Sequence, residues 1–120
     1  MAKILVIDDH PELRELFSVV LKGAGHTVIT AANGASGLAR YARHRPAIVI
    51  TDLDVPRISG LEVIERLRGE RVQIIVISGS DRQSLNVARE LGAAVTLKKP
   101  FGLHDLAAAV RRLVGDAPLA

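Results

Sequence analysis

Five short aliphatic runs, rich in β-branched residues, recur along the chain at nearly even intervals, and apolar residues at helical spacing lie between them. The runs cover residues 3–8, 27–31, 47–52, 72–78 and 94–98, and the clearest helical stripes cover residues 13–21 and 103–114. The first, third and fourth runs are apolar almost without alternation, which is typical of strands covered on both faces. This repeat predicts an α/β fold: a doubly wound sheet of five parallel strands with helices on both faces.

Capping residues mark two of the predicted helix starts. Asp9 stands just before the first helix and Glu12 follows three residues later, which predicts an N-cap with a capping-box partner. Ser59 and Glu62 have the same spacing ahead of the third helix. We therefore expect both helices to be capped by these side chains.

The composition fits one globular domain. The chain has 120 residues, 48% of them hydrophobic and 24% charged, and we expect a single domain over residues 1–120 with no output domain. It has no cysteine, which excludes disulfides, thiolate metal sites and a cysteine nucleophile. The aliphatic runs are far shorter than the roughly 20 residues of a membrane span, and no export signal is evident. We expect a cytoplasmic protein without a membrane partner.

The charge pattern argues against a nucleic-acid partner. The net charge is +3, but the arginines are spread over three predicted helices rather than gathered in one patch. Aromatic residues make up only 2% of the chain, so a base-stacking surface is missing. Direct binding of nucleic acid is therefore not expected.

Chemically capable side chains follow the predicted strands where these end. Asp8 and Asp9 end the first strand, Asp52 the third, Ser78 the fourth and Lys99 the fifth. The carboxyl ends of parallel strands meet at one edge of such a sheet, where ligands bind. Clustered carboxylates imply a cation, and an all-oxygen set favours Mg²⁺ or Mn²⁺ over zinc. A carboxylate nucleophile with a hard metal, an ammonium and a hydroxyl suits phosphoryl transfer to an aspartate.

The four histidines are scattered and have no metal-ligand spacing, so the sequence assigns them no chemistry. They are His10, His26, His44 and His104. Only His10 is near the predicted site, and we expect it to lie on the surface.

The same residues resemble the receiver domain of two-component response regulators along the whole chain. The matching segments are residues 4–9, residues 50–56 with Gly60, residues 77–79 and residues 97–101. The resemblance implies a flavodoxin-like strand order of 2-1-3-4-5. It also implies a signalling switch rather than a turnover enzyme, in which Asp52 accepts a phosphoryl group from a histidine kinase or phosphotransfer protein and later loses it by hydrolysis.

The resemblance further implies a role for each residue of the site. Asp52 is the phosphoacceptor, and Mg²⁺ is held by Asp52 and Asp9, by Asp8 mainly through bound water, and by the backbone carbonyl of Asp54. Ser78 and Lys99 hold the phosphoryl group. The Lys99–Pro100 bond is expected to be cis, and the neighbouring Lys98 points elsewhere because strand neighbours alternate faces.

Two positions depart from the family pattern. Thr96 stands three residues before Lys99, where a switch aromatic is usual. Movement of Ser78 toward the phosphoryl group can still pull the following loop, Gly79-Ser80-Asp81, but the readout on the face of helix four, strand five and helix five must then differ. Asp54, two residues after the acceptor, adds a fourth carboxylate, and we hypothesise that it alters the lifetime of the phosphoryl group.

Parts of this pattern are also compatible with two other functions. The Asp52 and Asp54 spacing also resembles haloacid-dehalogenase-type phosphohydrolases, but those carry their acidic metal pair after the lysine. A phosphate-independent pseudo-receiver acting as a protein-binding module is the other alternative. For the receiver, we expect a kinase to dock on residues 11–17 and the loop after strand five, and output to pass to a protein partner or a second copy of the chain.

Overall fold

The computed structural model describes residues 1–55, 57–79 and 82–115, and strands alternate with helices throughout. The strands are β1 (Lys3–Ile7), β2 (Thr27–Ala31), β3 (Ile48–Asp52), β4 (Gln73–Ser78) and β5 (Val95–Lys98). The helices are α1 (Pro11–Gly23), α2 (Gly34–His44), α3 (Gly60–Arg66), α4 (Arg82–Glu90) and α5 (Leu103–Val114). Each strand falls within a residue of its predicted bounds.

The strands form one sheet in the order β2-β1-β3-β4-β5, and every neighbouring pair is parallel. The α/β fold class and the strand order predicted from the sequence are therefore confirmed. The order reverses beside β1, because the chain moves from β1 to β2 on one side and then to β3 on the other. A ligand site is expected where the carboxyl ends of β1 and β3 lie next to each other.

The apolar character of β1 from Ile4 to Ile7 follows from a core on each face of the sheet. Ile4 and Val6 pack with Phe17 of α1 and Leu106 of α5 on one face. Leu5 and Ile7 lie in the second core, which α2, α3 and α4 cover. Successive side chains point to opposite faces, so a strand with helices on both sides must be apolar at every position.

The start of α1 differs from its prediction. The N-cap residue is His10, whose backbone is extended (φ −94°, ψ 110°) and whose side chain makes no capping bond. The predicted Asp9 cap is therefore wrong, because Asp9 lies one residue too early and its carboxylate contacts the His10 ring instead. Ser59 does cap α3, accepting a hydrogen bond from the Glu62 N–H at 3.3 Å.

Candidate functional site

Polar side chains are buried at the carboxyl edge of the sheet, directly beyond the two cores. Asp8, Asp52 and Ser78 are 1%, 3% and 0% exposed. Burial of two carboxylates is costly unless a cation or hydrogen bonds compensate it. Among the described residues, buried carboxylates therefore occur at this edge, where their burial lowers the stability of the fold unless it is compensated.

Asp52 is held at both carboxylate oxygens. Its Oδ1 accepts a hydrogen bond from the Asp54 N–H at 2.8 Å, and its Oδ2 forms an ion pair with Lys99 Nζ at 2.6 Å. Lys99 is itself tied to β4, because its backbone N–H donates to the Ser78 carbonyl at 2.9 Å. The loop after β5 thus brings an ammonium onto the end of β3.

The surroundings of Lys99 favour its charged form. Partial burial disfavours the ammonium, but the hydrogen bond and charge of Asp52, with the charges of Asp8 and Asp54, outweigh it and raise the pKa of Lys99 above its ordinary value. Lys99 therefore carries its positive charge at any pH at which the site would work. Lys98, by contrast, is exposed, as alternation predicts.

Asp8 and Asp9 form a cluster with His10. Asp8 Oδ1 accepts a hydrogen bond from the His10 backbone N–H at 2.9 Å, and His10 Nδ1 lies 3.0 Å from that oxygen and 3.2 Å from Asp9 Oδ1. The bond to Asp8, then the charges of Asp9 and Asp8, raise the pKa of His10 above its ordinary value. Arg14 Nη1 donates to the Asp8 carbonyl at 2.7 Å and fixes the end of β1 against α1.

These carboxylates fit a divalent cation. Asp8 Oδ2 is fully buried and has no hydrogen-bond partner among the described residues, which is an arrangement that a cation or bound water would satisfy. One ligand atom from each of Asp8, Asp9 and His10 lies within 4.8 Å of the others. Carboxylate oxygens are the ligands of Mg²⁺ and Mn²⁺.

The sequence interpretation missed His10. It expected a surface position without chemistry, and the ring is exposed, but it also lies against both acidic side chains. The signal was the direct succession of Asp8, Asp9 and His10 at the end of a strand. A search for separated metal-ligand spacings does not detect three consecutive donors.

The predicted switch region is only partly described. Ser78 is buried at the end of β4, and Gly79 runs beside the stem of Lys99, whose Cβ and Cδ would both lie 3.9 Å from a Cβ added at the glycine. The next two residues of the predicted loop, Ser80 and Asp81, lie outside the described residues.

Thr96, which stands where the family usually carries an aromatic residue, makes a hydrogen bond from β5 to the neighbouring helix α4. Its Oγ1 accepts a hydrogen bond from Arg89 Nη2 of α4 at 2.8 Å. The Lys99–Pro100 peptide bond is cis, as the resemblance implied.

Comparison with known proteins gives the family. Residues 4–111 match the response regulator receiver domain, and the chain belongs to this family of two-component signalling proteins. The transcriptional regulatory protein KdpE of Mycobacterium tuberculosis is 40% identical over 125 aligned positions, covering 99% of this chain and 55% of that protein. Sporulation initiation phosphotransferase F of Bacillus subtilis is 29% identical and is matched over 91% of its length.

A solved structure agrees with this assignment. A response regulator receiver domain protein of Clostridium thermocellum superposes with a TM-score of 0.90 at 27% identity, over 97% of this chain and 96% of that one. The chain spans about half the length of the curated relatives KdpE, TcrX and MprA. Within the described ranges, no helix is long and apolar enough to cross a membrane. The cytoplasmic location stays a prediction.

Proposed function

We propose that this chain is a phosphorylation switch in which Asp52 accepts a phosphoryl group from a histidine kinase or phosphotransfer protein, with Mg²⁺ as cofactor and Mn²⁺ as an alternative. The observation that carries the proposal is the environment of Asp52, a buried carboxylate fixed by a backbone N–H and paired with Lys99. Membership of the receiver family supports the same reading.

The transfer replaces one bond to phosphorus by another. A carboxylate oxygen of Asp52 attacks the phosphorus, the new O–P bond forms, and the P–N bond to the donor histidine breaks with its electron pair returning to the imidazole. Lys99 then offsets the negative charge of the phosphoryl oxygens, and the Ser78 hydroxyl donates a hydrogen bond to one of them. Hydrolysis of the acyl phosphate by water returns the Asp52 carboxylate.

The cation would be held by the side chains of Asp8, Asp9 and Asp52 and by the backbone carbonyl of Asp54. When bound, it supplies positive charge next to the oxygens of the transferring group. The buried Asp8 Oδ2 without a partner among the described residues supports this assignment. His10 N–H and Arg14 orient Asp8 from opposite ends of the residue.

An apolar groove beside Lys99 supports the docking of the phosphodonor at α1. Leu13, Leu16 and Phe17 face Pro100 and Phe101 across a cavity of about 500 Å³. The rings of Phe17 and Phe101 lie 6.1 Å apart and join α1 to the loop after β5. A helix that carries the donor histidine would bury this groove and bring the histidine close to Asp52.

The phosphorylated chain passes its signal by binding a protein partner or a second copy of itself, and neither nucleic acid nor membrane is bound directly. The chain turns over no substrate besides its own phosphoryl group.

A phosphate-independent binding module is the second candidate, because Thr96 replaces the usual aromatic readout.

Beryllofluoride, which mimics the phosphoryl group, separates these two candidates. Amide NMR spectra are recorded on wild type and Asp52→Asn with Mg²⁺, before and after beryllofluoride is added. The proposal expects shifts at Ser78, Gly79 and Lys99 in wild type and none in the variant. A folded wild-type chain whose spectrum does not change would contradict the switch and favour the binding module.

A further inference from the structure

The imidazole of His10 lies in contact with two carboxylates, that of the buried Asp8 and that of the exposed Asp9. Its Nδ1 is 3.0 Å from Asp8 Oδ1 and 3.2 Å from Asp9 Oδ1. Two ligand atoms at neighbouring corners of an octahedron around an ion lie about 3.0 Å apart when each is about 2.1 Å from the ion. Nδ1 is therefore spaced from each carboxylate oxygen as a neighbouring ligand of one ion would be, and one ligand atom from each of the three residues lies within 4.8 Å of the others.

The local backbone holds the three donors in this arrangement. The His10 N–H donates to Asp8 Oδ1, and the His10 backbone is extended just before α1. Arg14 fixes the Asp8 carbonyl from the first turns of α1. The fold thus fixes the backbone of His10 and the Asp8 carboxylate beside which the ring lies.

The buried side chain of Asp8 is a second observation that points to a bound ion or water at this site. Its side chain is 2% exposed, and Oδ2 has no hydrogen-bond partner among the described residues. Buried carboxylate oxygens are normally satisfied by a donor, an ion or ordered water. The contacts to His10 satisfy only the other oxygen of this carboxylate.

We propose, on the basis of the function proposed above, that His10 is a ligand of the metal held by Asp8 and Asp9. The site then binds Co²⁺, and to a smaller degree Mn²⁺, more tightly than an all-oxygen site would, because the affinity of a site that contains nitrogen rises along the first-row series from Mn²⁺ to Co²⁺. Mg²⁺ gains little from the nitrogen, because it prefers oxygen donors and keeps its water. An all-oxygen site would lack this contribution to selectivity.

Metal affinities of single variants test the proposal. Calorimetric titrations with Mg²⁺, Mn²⁺ and Co²⁺ are carried out on the full chain as wild type, His10→Gln and the remote control His44→Gln. We expect His10→Gln to weaken Co²⁺ binding by at least about tenfold and Mg²⁺ binding by less than about threefold, with no change in the control. Equal weakening of both ions, or none, would overturn the assignment.

Pulsed electron paramagnetic resonance of bound Mn²⁺ gives the direct readout. Wild type is expected to show the ¹⁴N coupling of a directly bonded imidazole, and His10→Gln is expected to lose it. Mg²⁺ and Mn²⁺ binding without that coupling would overturn the role of His10 and leave the proposed function standing. Failure of the folded wild-type chain to bind any of the three ions would overturn both.

Discussion

Lys99 Nζ lies 2.6 Å from Asp52 Oδ2, so an ammonium on the loop after β5 is bonded to a carboxylate at the end of β3. The Asp52 side chain is 4% exposed and that of Lys99 is 30% exposed. The ion pair spans the carboxyl end of β4, which lies between β3 and β5 in the sheet. Lys99 is also bonded to β4, because its backbone N–H donates to the Ser78 carbonyl. It places the positive charge where a phosphoryl group on Asp52 would need it.

Loss of Lys99 is expected to destabilise the fold as well as the site. Lys99→Met leaves Asp52 buried without its cation, at a cost of about 1–3 kcal/mol in the free energy of unfolding. Urea unfolding measures this, and Lys98→Met, at the exposed neighbouring position, should stay within about 0.5 kcal/mol of wild type. Equal effects of the two variants would contradict the role given to the ion pair.

Asp54 is expected to influence how long the phosphoryl group survives. Its carboxylate is close enough to contribute to the raised pKa of Lys99, and its N–H is bonded to the acceptor. Asp54→Asn should change the dephosphorylation rate by more than about threefold, which is a barrier change of more than about 0.6 kcal/mol. The rate is followed after removal of the phosphodonor, with Glu90→Gln as the exposed control, and an unchanged rate would refute the hypothesis.

Gly60 is required by the approach of α3 to the acceptor strand. A Cβ there would lie 2.6 Å from both the Asp52 carbonyl oxygen and Leu53 Cα. Gly60→Ala should therefore cost about 1–3 kcal/mol in thermal or urea unfolding and slow phosphorylation, because the backbone of Asp52 must shift. Gly23→Ala is the control, since an added Cβ at the end of α1 meets nothing within 4 Å, and it should not destabilise.

His26 should make the fold less stable in acid. Its Nδ1 accepts a hydrogen bond from the Ala2 N–H at 3.1 Å, and burial, followed by the charge of the N-terminus, lowers its pKa from the ordinary 6.5. The neutral ring is the form that the folded state favours, so its stabilising contribution is complete above about pH 6.5 and is lost as the pH falls through the lower folded value.

The difference in unfolding free energy between wild type and His26→Gln, measured from about pH 8 to pH 5, isolates this contribution. Wild type should lose its advantage over the variant across that interval. A difference that does not vary with pH would show that His26 does not titrate differently in the folded state.

The fold could be predicted because local signals agree with the global arrangement. Apolar runs without alternation, such as that of β1, indicate strands between two layers of helices, and the structure bears this out with a core on each face. The candidate site followed from the same argument, because the ends of parallel strands meet. Lys99 and Asp52 are 47 positions apart in sequence and are nevertheless bonded.

The other contacts of the site could not be predicted from the sequence, because they depend on distances that only the folded chain sets. Asp9 has the residue type and spacing of a cap, but α1 begins one residue later than a cap at Asp9 would need. The bonds of Arg14 to Asp8 and of Arg89 to Thr96 join elements through flexible side chains, and no periodic pattern encodes them. The contact of the His10 ring with Asp8 and Asp9 differs from these, because the three residues are consecutive and a search for separated metal-ligand spacings does not detect them.

Intact-mass spectrometry after incubation with Mg²⁺ and acetyl phosphate tests the central claim most directly. Wild type, Asp52→Asn and the neighbouring Asp54→Asn are compared, with circular dichroism to verify that each variant is folded. The account predicts a single phosphoryl adduct in wild type and Asp54→Asn and none in Asp52→Asn. An adduct that persists in Asp52→Asn, or its absence from folded wild type, would contradict the assignment of Asp52 as the phosphoacceptor.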